Sequence, residues 1–422
     1  MAGIRRPVAL EVAWPGICLN GRVRVDKHPL DGVRWSACAA VAALALGACT
    51  STPPAGGPTP LDQPPTAGVK PLTAVGTAES DLFLLTTEGY ADSSWTVPFT
   101  KATGCKVTPK YVATWDEIVK TMKDGGGGQW DLVSASGDAA LQLIRSGDVN
   151  PMNTGLIPDF TNFQTVFKAP AYNTVNNVHY GISLQWGPNT LLYNTKKFVN
   201  PPTSWSVIYD EANKGLVTVP DNPMQIADAA LYLSKFQPAL NIKDPYELNQ
   251  KQFDAAIALL KTQRPLIKRY WALVSEEISL FHDGTVVVGS ASPYQTSQLK
   301  AAGSPVADTI PTEGVTAWGD SWMLAAKAPH PNCAYMWTAY VSTPKVQAQQ
   351  AIFFGETPVN TKACAEMEAL QSGSCALYHA GEQPAYFDPI KFWKTPLTRC
   401  SDGSGTCIPY DQWVAAWTTV KT

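Results

Sequence analysis

Short apolar runs alternate with amphipathic stretches from residue 81 onward. The run LFLLTT predicts a buried strand that ends in a polar loop, and the apolar side chains of 114–123 recur at helical spacing behind Thr114, a candidate N-cap. This alternation is typical of a parallel sheet covered by helices. In this part of the chain we predict strands within 81–90 and at 106–112 and 130–133, and helices at 93–103, 114–123 and 139–145.

The same pattern restarts after Trp186. Two α/β units with more than one crossing between them predict a two-lobe clamshell, each lobe a central sheet flanked by helices. The positions of the crossings do not follow from the pattern. Here the predicted strands are 191–193, 216–219, 286–289 and 322–325, and the predicted helices are 224–235, 252–261 and 333–341.

A membrane-directed signal is present near the N-terminus. Residues 37–48 are apolar or small, too few for a bilayer span of about 20 residues but suited to the apolar region of a signal peptide. The run ends in Leu-Gly-Ala before Cys49, which resembles a bacterial lipobox and predicts cleavage and lipidation at Cys49. The alternative is a buried apolar helix that ends in an ordinary cysteine.

The segments on either side of Cys49 support a leader and a tether. We predict a signal peptide over 1–48, although 1–31 is long for its basic region, and Val23 or Val33 is a candidate start. Residues 49–79 are rich in Pro and Gly, so we predict a lipidated cysteine followed by a flexible tether. The protein would then be extracytoplasmic, held on the outer face of the cell membrane.

Nine cysteines limit which covalent links the chain can form. With 18 and 38 lost in the leader and Cys49 lipidated, six remain, and an even number outside the cytoplasm predicts three disulfides. Short loops favour Cys364–Cys375 and Cys400–Cys407, which leaves Cys105–Cys333 as the long-range pair. No C-x-x-C pair or suitably spaced histidine supports zinc, and we predict no metal and no cofactor.

Composition and motifs disfavour two other classes of function. The net charge is −3 and no long basic run occurs, so nucleic acid is not an expected partner. Ser342 and Lys345 have the S-x-x-K spacing of penicillin-binding enzymes, but no companion motif follows, and we interpret Ser342 as a helix cap. A serine hydrolase is therefore the least favoured alternative, and we do not expect an enzyme.

Five sequence blocks in order carry a family resemblance over roughly 82–362. The blocks are WDLV with Ser136 and SGDV at 130–149, YGI and QWG at 180–187, PTSW with Lys-Gly at 202–215, GVTAWGDS at 314–321, and GETPVN at 355–360. On these blocks the chain resembles the spermidine/putrescine (polyamine) binding proteins of ABC importers.

The resemblance implies an architecture and a set of partners. It implies a first lobe of 80–185 plus 319–362, a second lobe of 187–316 plus 365–422, and a ligand in the cleft between them. The protein would be a monomer that captures a small solute and delivers it to a membrane permease and its ATPase. A clamshell that serves as a sensor or adhesion lipoprotein is the alternative from another class.

The matched positions imply a ligand site. Trp318 and Asp320 lie where the family places a stacking tryptophan and an amine-binding aspartate, and Ser136 matches a family serine. Tyr90 and Trp186 also match, with core packing as their alternative role. The remaining positions differ from the family pattern. Thr87 and Ser292 replace tryptophans, and Asn222 and Gln225 replace carboxylates. Nearby acids that could compensate are Asp138, Asp221 and Glu88.

The departures leave ligand identity open. A polyamine is the ligand that the resemblance implies. A monocation, a zwitterion or a neutral polar solute fits the amides of Asn222 and Gln225, because an amide both donates and accepts hydrogen bonds.

Overall fold

A computed structural model describes residues 63–123, 126–382, 384–401, 403 and 405–422. The predicted signal peptide, Cys49 and the first part of the tether lie outside the described residues. Among the helices of the described part, none combines the length and the apolar composition needed to cross a membrane.

Fifteen strands and twelve α-helices make up the described part of the chain. The strands are β1 (Asp81–Thr86), β2 (Lys106–Tyr111), β3 (Leu132–Ser136), β4 (Val149–Asn150), β5 (Thr174–Val175), β6 (Val178–His179), β7 (Ile182–Pro188), β8 (Thr190–Asn194), β9 (Val217–Pro220), β10 (Ile267–Trp271), β11 (Val288–Ala291), β12 (Val306–Thr309), β13 (Val315–Ala325), β14 (Thr357–Pro358) and β15 (Ile390–Phe392). The helices are α1 (Ser93–Thr103), α2 (Trp115–Lys123), α3 (Gly137–Ser146), α4 (Gln225–Phe236), α5 (Gln250–Gln263), α6 (Val274–His282), α7 (Pro293–Ala301), α8 (Pro331–Val341), α9 (Pro344–Phe354), α10 (Ala363–Leu370), α11 (Ser374–Leu377) and α12 (Tyr410–Lys421).

The first lobe is built on a sheet with the strand order β14-β7-β13-β3-β1-β2, and β4 and β15 also pair with β13. Strand β1 is parallel to both β2 and β3, as the alternating pattern predicts, whereas β13 is antiparallel to β3 and β7. Leu82, Leu84 and Leu85 of β1 are all fully buried, because helices cover both faces of the sheet. Thr114 caps α2 as predicted, through a 3.2 Å bond from Glu117 N to its hydroxyl.

The second lobe contains a five-stranded sheet in the order β10-β9-β11-β8-β12. The chain enters this lobe between β7 and β8 and returns to the first between β12 and β13. Two crossings join the sheets at one place, which is the hinge of a two-lobe clamshell. The crossings are hydrogen-bonded to each other, because Asn189 N donates to Thr316 O at 2.8 Å.

All three predicted disulfides are present. Cys105–Cys333 joins the loop after α1 to α8, with 5.8 Å between the Cα atoms. Cys364–Cys375 and Cys400–Cys407 close short loops of the C-terminal region, with Cα separations of 5.0 and 5.3 Å.

The C-terminal region differs from the assignment of 365–422 to the second lobe. Strand β15 pairs with β13 in the first sheet, and α10 packs on α9 through Ala363 and Met367. Helix α12 packs on the second lobe, where Trp413 meets Phe253 of α5 at 6.0 Å between rings. We call residues 384–422 the tail; it contacts both lobes because its apolar side chains are divided between them.

One smaller expectation was wrong. Residues 63–79 do not form a free tether, because Thr66 is buried and donates to Val149 O at 2.7 Å, and Gly76 N donates to Asn332 at 2.6 Å. Ser342 is a helix cap, as predicted, but at the end of a helix. It is the C-cap of α8, where its buried hydroxyl donates to Thr338 O at 2.7 Å.

Candidate functional site

A cavity of about 590 Å³ lies at the junction of the two lobes. Both sheets contribute side chains at the ends of their strands, where loops lead into helices. The lining includes six carboxylates and a ring of aromatic and neutral polar side chains: Glu88, Asp116, Asp138, Asp221, Asp320 and Glu356, with Thr87, Tyr90, Trp115, Ser136, Asn189, Asn222, Trp271, Ser292, Gln295, Trp318, Phe354, Trp393 and Tyr410.

Asp320 lies at the centre of the first lobe's contribution. It lies opposite Ser136 of β3, at a register shift between β13 and β7 that aims the side chain into the cleft. The Tyr90 hydroxyl donates a hydrogen bond to its carboxylate. Burial raises the pKa of Asp320 to about 6, and the hydroxyls of Tyr90 and Ser136 offset part of that rise by stabilising the charge.

Two more carboxylates adjoin Asp320. Burial and the Asp320 charge raise the pKa of Glu356 well above its ordinary range. Burial, with Asp116 and Asp320 as neighbouring charges, raises the pKa of Asp138 to about 7. The first lobe therefore carries a continuous row of acids from Glu356 through Asp320 and Asp138 to Asp116. These acids repel one another when no cation lies between them.

Aromatic rings flank this row. Trp318 packs against Gly187, where a Cβ would come within 2.5 Å of the indole, so any larger residue would displace the ring. Tyr90 packs on Phe354 at 5.1 Å between ring centroids. Gly89 precedes Tyr90 with a φ of +92° and has the Phe354 ring against its Cα, which a side chain would displace.

The second lobe presents mostly neutral groups. Asn222, Ser292 and Gln295 line the cavity, and Gln295 is held by a 3.0 Å bond to the buried carboxylate of Glu277. Asp221 also lines the cavity, but Lys421 of α12 pairs with it at 2.6 Å and neutralises its charge. Among the described residues that line the cavity there is no lysine or arginine.

Six of the eight predicted ligand residues line the cavity, and two do not. Tyr90, Ser136, Asp138, Asn222, Trp318 and Asp320 line it, and Thr87, Ser292, Glu88 and Asp221 lie there as well. Trp186 is fully buried behind the cleft, against Phe167 and Phe387 at 5.6 and 5.4 Å between ring centroids. The buried Gln225 donates to Asp228 at 2.6 Å and faces the hinge.

Several lining residues escaped the sequence-based prediction. Glu356 belongs to the GETPVN block, to which the resemblance gives no ligand contact, and Asp116 is an exposed charged residue of an amphipathic helix. Trp393 and Tyr410 lie in the tail, beyond the resemblance. No local pattern marks these residues, since only packing brings them to the cleft.

The chain that forms this site is similar to known bacterial binding proteins. A family model described as bacterial extracellular solute-binding protein matches residues 94–373. The putrescine/agmatine-binding protein of Pseudomonas aeruginosa is 23% identical over 310 residues, which cover 69% of this chain and 82% of the relative. The putrescine-binding periplasmic protein PotF of Escherichia coli is 25% identical over 301 residues, 67% of this chain and 79% of PotF.

Solved structures share the fold. The spermidine/putrescine ABC transporter substrate-binding protein PotD of Streptococcus pneumoniae superposes with a TM-score of 0.64 at 16% identity. The superposition covers 81% of this chain and all of that one. At this identity the match establishes a common two-lobe architecture, with a cleft at the lobe junction.

Proposed function

Because this chain belongs to the bacterial extracellular solute-binding proteins, we propose that its cleft captures a small cationic amine of the polyamine class for an ABC importer. One observation indicates that the ligand is positively charged. Six carboxylates line the cavity, and the described lining contains no lysine or arginine. Lys421 neutralises only Asp221, and an acidic cavity whose lining holds no cationic side chain favours a cation, since its buried acids otherwise stay protonated or repel one another.

The individual residues have distinct roles in this proposal. Asp320 and Glu356 pair with an ammonium group, Tyr90 positions the Asp320 carboxylate, and Trp318 offers a ring face to the alkyl chain and the cation. Asn222, Ser292 and Gln295 complete the contact from the second lobe when the cleft closes. Putrescine is named for two of the relatives, which supports a short polyamine.

The wider setting follows from the same proposal. A lipid on Cys49 would hold the protein on the outer face of the membrane, and the closed, loaded monomer would pass its solute to a permease and its ATPase. Its task is binding rather than catalysis. A ligand with one charge and a neutral polar end is the second candidate, because the second lobe lines the cavity with amides and a hydroxyl, Asn222, Gln295 and Ser292, which both donate and accept hydrogen bonds.

Titration calorimetry on the purified protein tests the proposed ligand class. The titrants are putrescine, spermidine and the uncharged analogue 1,4-butanediol. The titrations are made at pH 8, where the acids of the cleft can lose their protons to pair with a cation. We expect heat from the amines and none from the diol, which has the same carbon chain without charge. Binding of the diol as tight as that of putrescine, or no binding of either amine, would contradict the proposal.

A further inference from the structure

Asp138 is a buried acid whose hydrogen bonding is incomplete. It lies in the first turn of α3, its side chain lines the cavity, and the residue is only 4% exposed. Its Oδ1 atom has no hydrogen-bond partner within the described part of the protein. A buried carboxylate oxygen without a partner is unfavourable, so the arrangement calls for a donor that enters from the cavity.

The tail forms the wall beside Asp138. Thr395 Oγ1 donates to Asp138 O at 2.7 Å, and a Cβ at Gly137 would lie 2.0 Å from Trp393 O, so the tail backbone packs tightly on the start of α3. Trp393 and Tyr410 are both buried and both line the cavity.

The wall is held from both sides. Lys394 bridges to Asp244 of the second lobe at 2.7 Å, and Ile408 N donates to Leu248 O at 2.9 Å. The Cys400–Cys407 disulfide closes the loop between these two contacts. Tyr410 therefore has a fixed position at the start of α12, where its hydroxyl interacts with the Asp116 carboxylate of the first lobe.

Two acid pairs with separate aromatic partners thus lie along one lobe. Glu356 and Asp320 adjoin Tyr90, while Asp138 and Asp116 adjoin the two tail aromatics. An ammonium group needs this combination of carboxylates and ring faces. The described lining of the second lobe holds one carboxylate, Asp221, and Lys421 pairs with it.

We propose that Asp138 and Asp116, together with Trp393 and Tyr410, form a second ammonium subsite whose two aromatic side chains come from the C-terminal tail. The ligand is then a diammonium compound, with its other ammonium at Asp320 and Glu356. This inference rests on the proposed function. It adds that the ligand has two positive charges and says where the second ammonium group binds. The two tail aromatics lie beyond residue 373, where the family match ends.

A comparison of putrescine with 1-butylamine tests the second subsite. The two probes have the same carbon chain and differ by one ammonium group. By calorimetry at pH 8 we expect the wild-type protein to bind putrescine at least about tenfold more tightly, the equivalent of about 1.4 kcal/mol. Asp138→Asn, which keeps the side-chain shape, should remove this preference while changing the butylamine affinity by less than about threefold.

Two further variants separate the subsites. Asp320→Asn should weaken both probes, because it removes the charge that each one uses. Asp411→Asn, an exposed change next to Tyr410 with the same effect on net charge, should leave both affinities unchanged. Thermal melting of every variant verifies that the fold is retained.

The outcomes distinguish this inference from the proposed function. Equal wild-type affinities for putrescine and butylamine would overturn the second subsite but leave a cationic amine as ligand. A uniform loss of both probes in Asp138→Asn would likewise overturn it. Failure of the wild-type protein to bind either amine would overturn the proposed function, and this inference with it.

Discussion

Asp320 shows how one side chain acquires its chemistry from its neighbours. Strand pairing places it opposite Ser136, and Tyr90 donates to it from a loop 230 positions earlier in the chain. Burial favours the neutral acid, while the two hydroxyls favour the carboxylate, so the pKa of Asp320 is about 6 and the group is largely ionised at neutral pH. It is therefore prepared to pair with a cation.

Substitution of Asp320 tests its role directly. Asp320→Asn keeps the volume and an acceptor for Tyr90 but removes the charge. We expect the affinity for putrescine to fall by about 2–5 kcal/mol, the range for loss of one partner of a buried charge pair. Calorimetry measures the change, with Asp411→Asn as the charge-matched control. An affinity within about twofold of wild type would remove Asp320 from the site.

The raised pKa values predict that binding depends on pH. The pKa is about 6 for Asp320 and about 7 for Asp138. A bound cation stabilises the ionised acids and lowers their pKa values, so binding releases protons. The Kd for putrescine should fall as pH rises from about 5 to about 8 and then level off.

The pH dependence has its own internal control. Asp138→Asn should flatten the part of the profile near pH 7 and retain the part near pH 6. Titrations in buffers of different ionisation enthalpy report the proton release directly. A Kd that stays constant across this range, or rises with pH, would contradict the assignment of buried acids to the ligand.

At the scale of elements, the disulfides close loops of very different length. Cys105–Cys333 spans 228 positions and ties the β1–α1–β2 unit to α8, whereas Cys400–Cys407 spans 7 positions within the tail. In the chain-entropy description, a disulfide stabilises by restricting the unfolded chain, and the effect grows with the length of the loop it closes.

The two disulfides should therefore differ in their contribution to stability. We expect the paired change Cys105→Ser and Cys333→Ser to lower the free energy of unfolding by about 5 kcal/mol, and Cys400→Ser with Cys407→Ser by about 2–3 kcal/mol. Urea denaturation of each variant measures both values. The tail pair should additionally weaken putrescine binding, since it holds Tyr410; a larger stability loss from the tail pair would contradict the entropic account.

At the scale of the whole molecule, the hinge combines two crossings with a buried polar network. Asn189 and Asp228 both bond to Thr316, at 2.8 and 2.5 Å, and Gln225 bonds to Asp228. The tail adds a third connection through β15 and α12. The two crossings form the hinge about which the lobes can open and close around a ligand.

Closure predicts a change of overall shape. Saturating putrescine should lower the radius of gyration of the purified protein in small-angle X-ray scattering, because contacts with Asn222 and Gln295 form only when the second lobe approaches. Asp320→Asn at the same putrescine concentration should show no change. A ligand that binds by calorimetry without any compaction would contradict a closing cleft.

The local pattern of the sequence determined many of the elements and indicated two α/β lobes, but it did not predict strands such as β10 and β15 or helices such as α6 and α9. Apolar runs and helical spacing are local properties, so strands such as β1 and helices such as α2 follow from their own residues. Motif order placed Asp320 and Trp318 in the cleft, and cysteine spacing and parity led to the three disulfide pairs.

Only the tertiary structure decided which distant side chains share the cavity. Strand β7 is buried along its whole length, so no alternation told whether Trp186 faces the core or the cleft, and it faces the core. Tyr410 approaches Asp116 although nearly 300 positions separate them, because the tail packs across both lobes. Contacts of this range depend on how complete elements pack, and a local pattern contains no information about that packing.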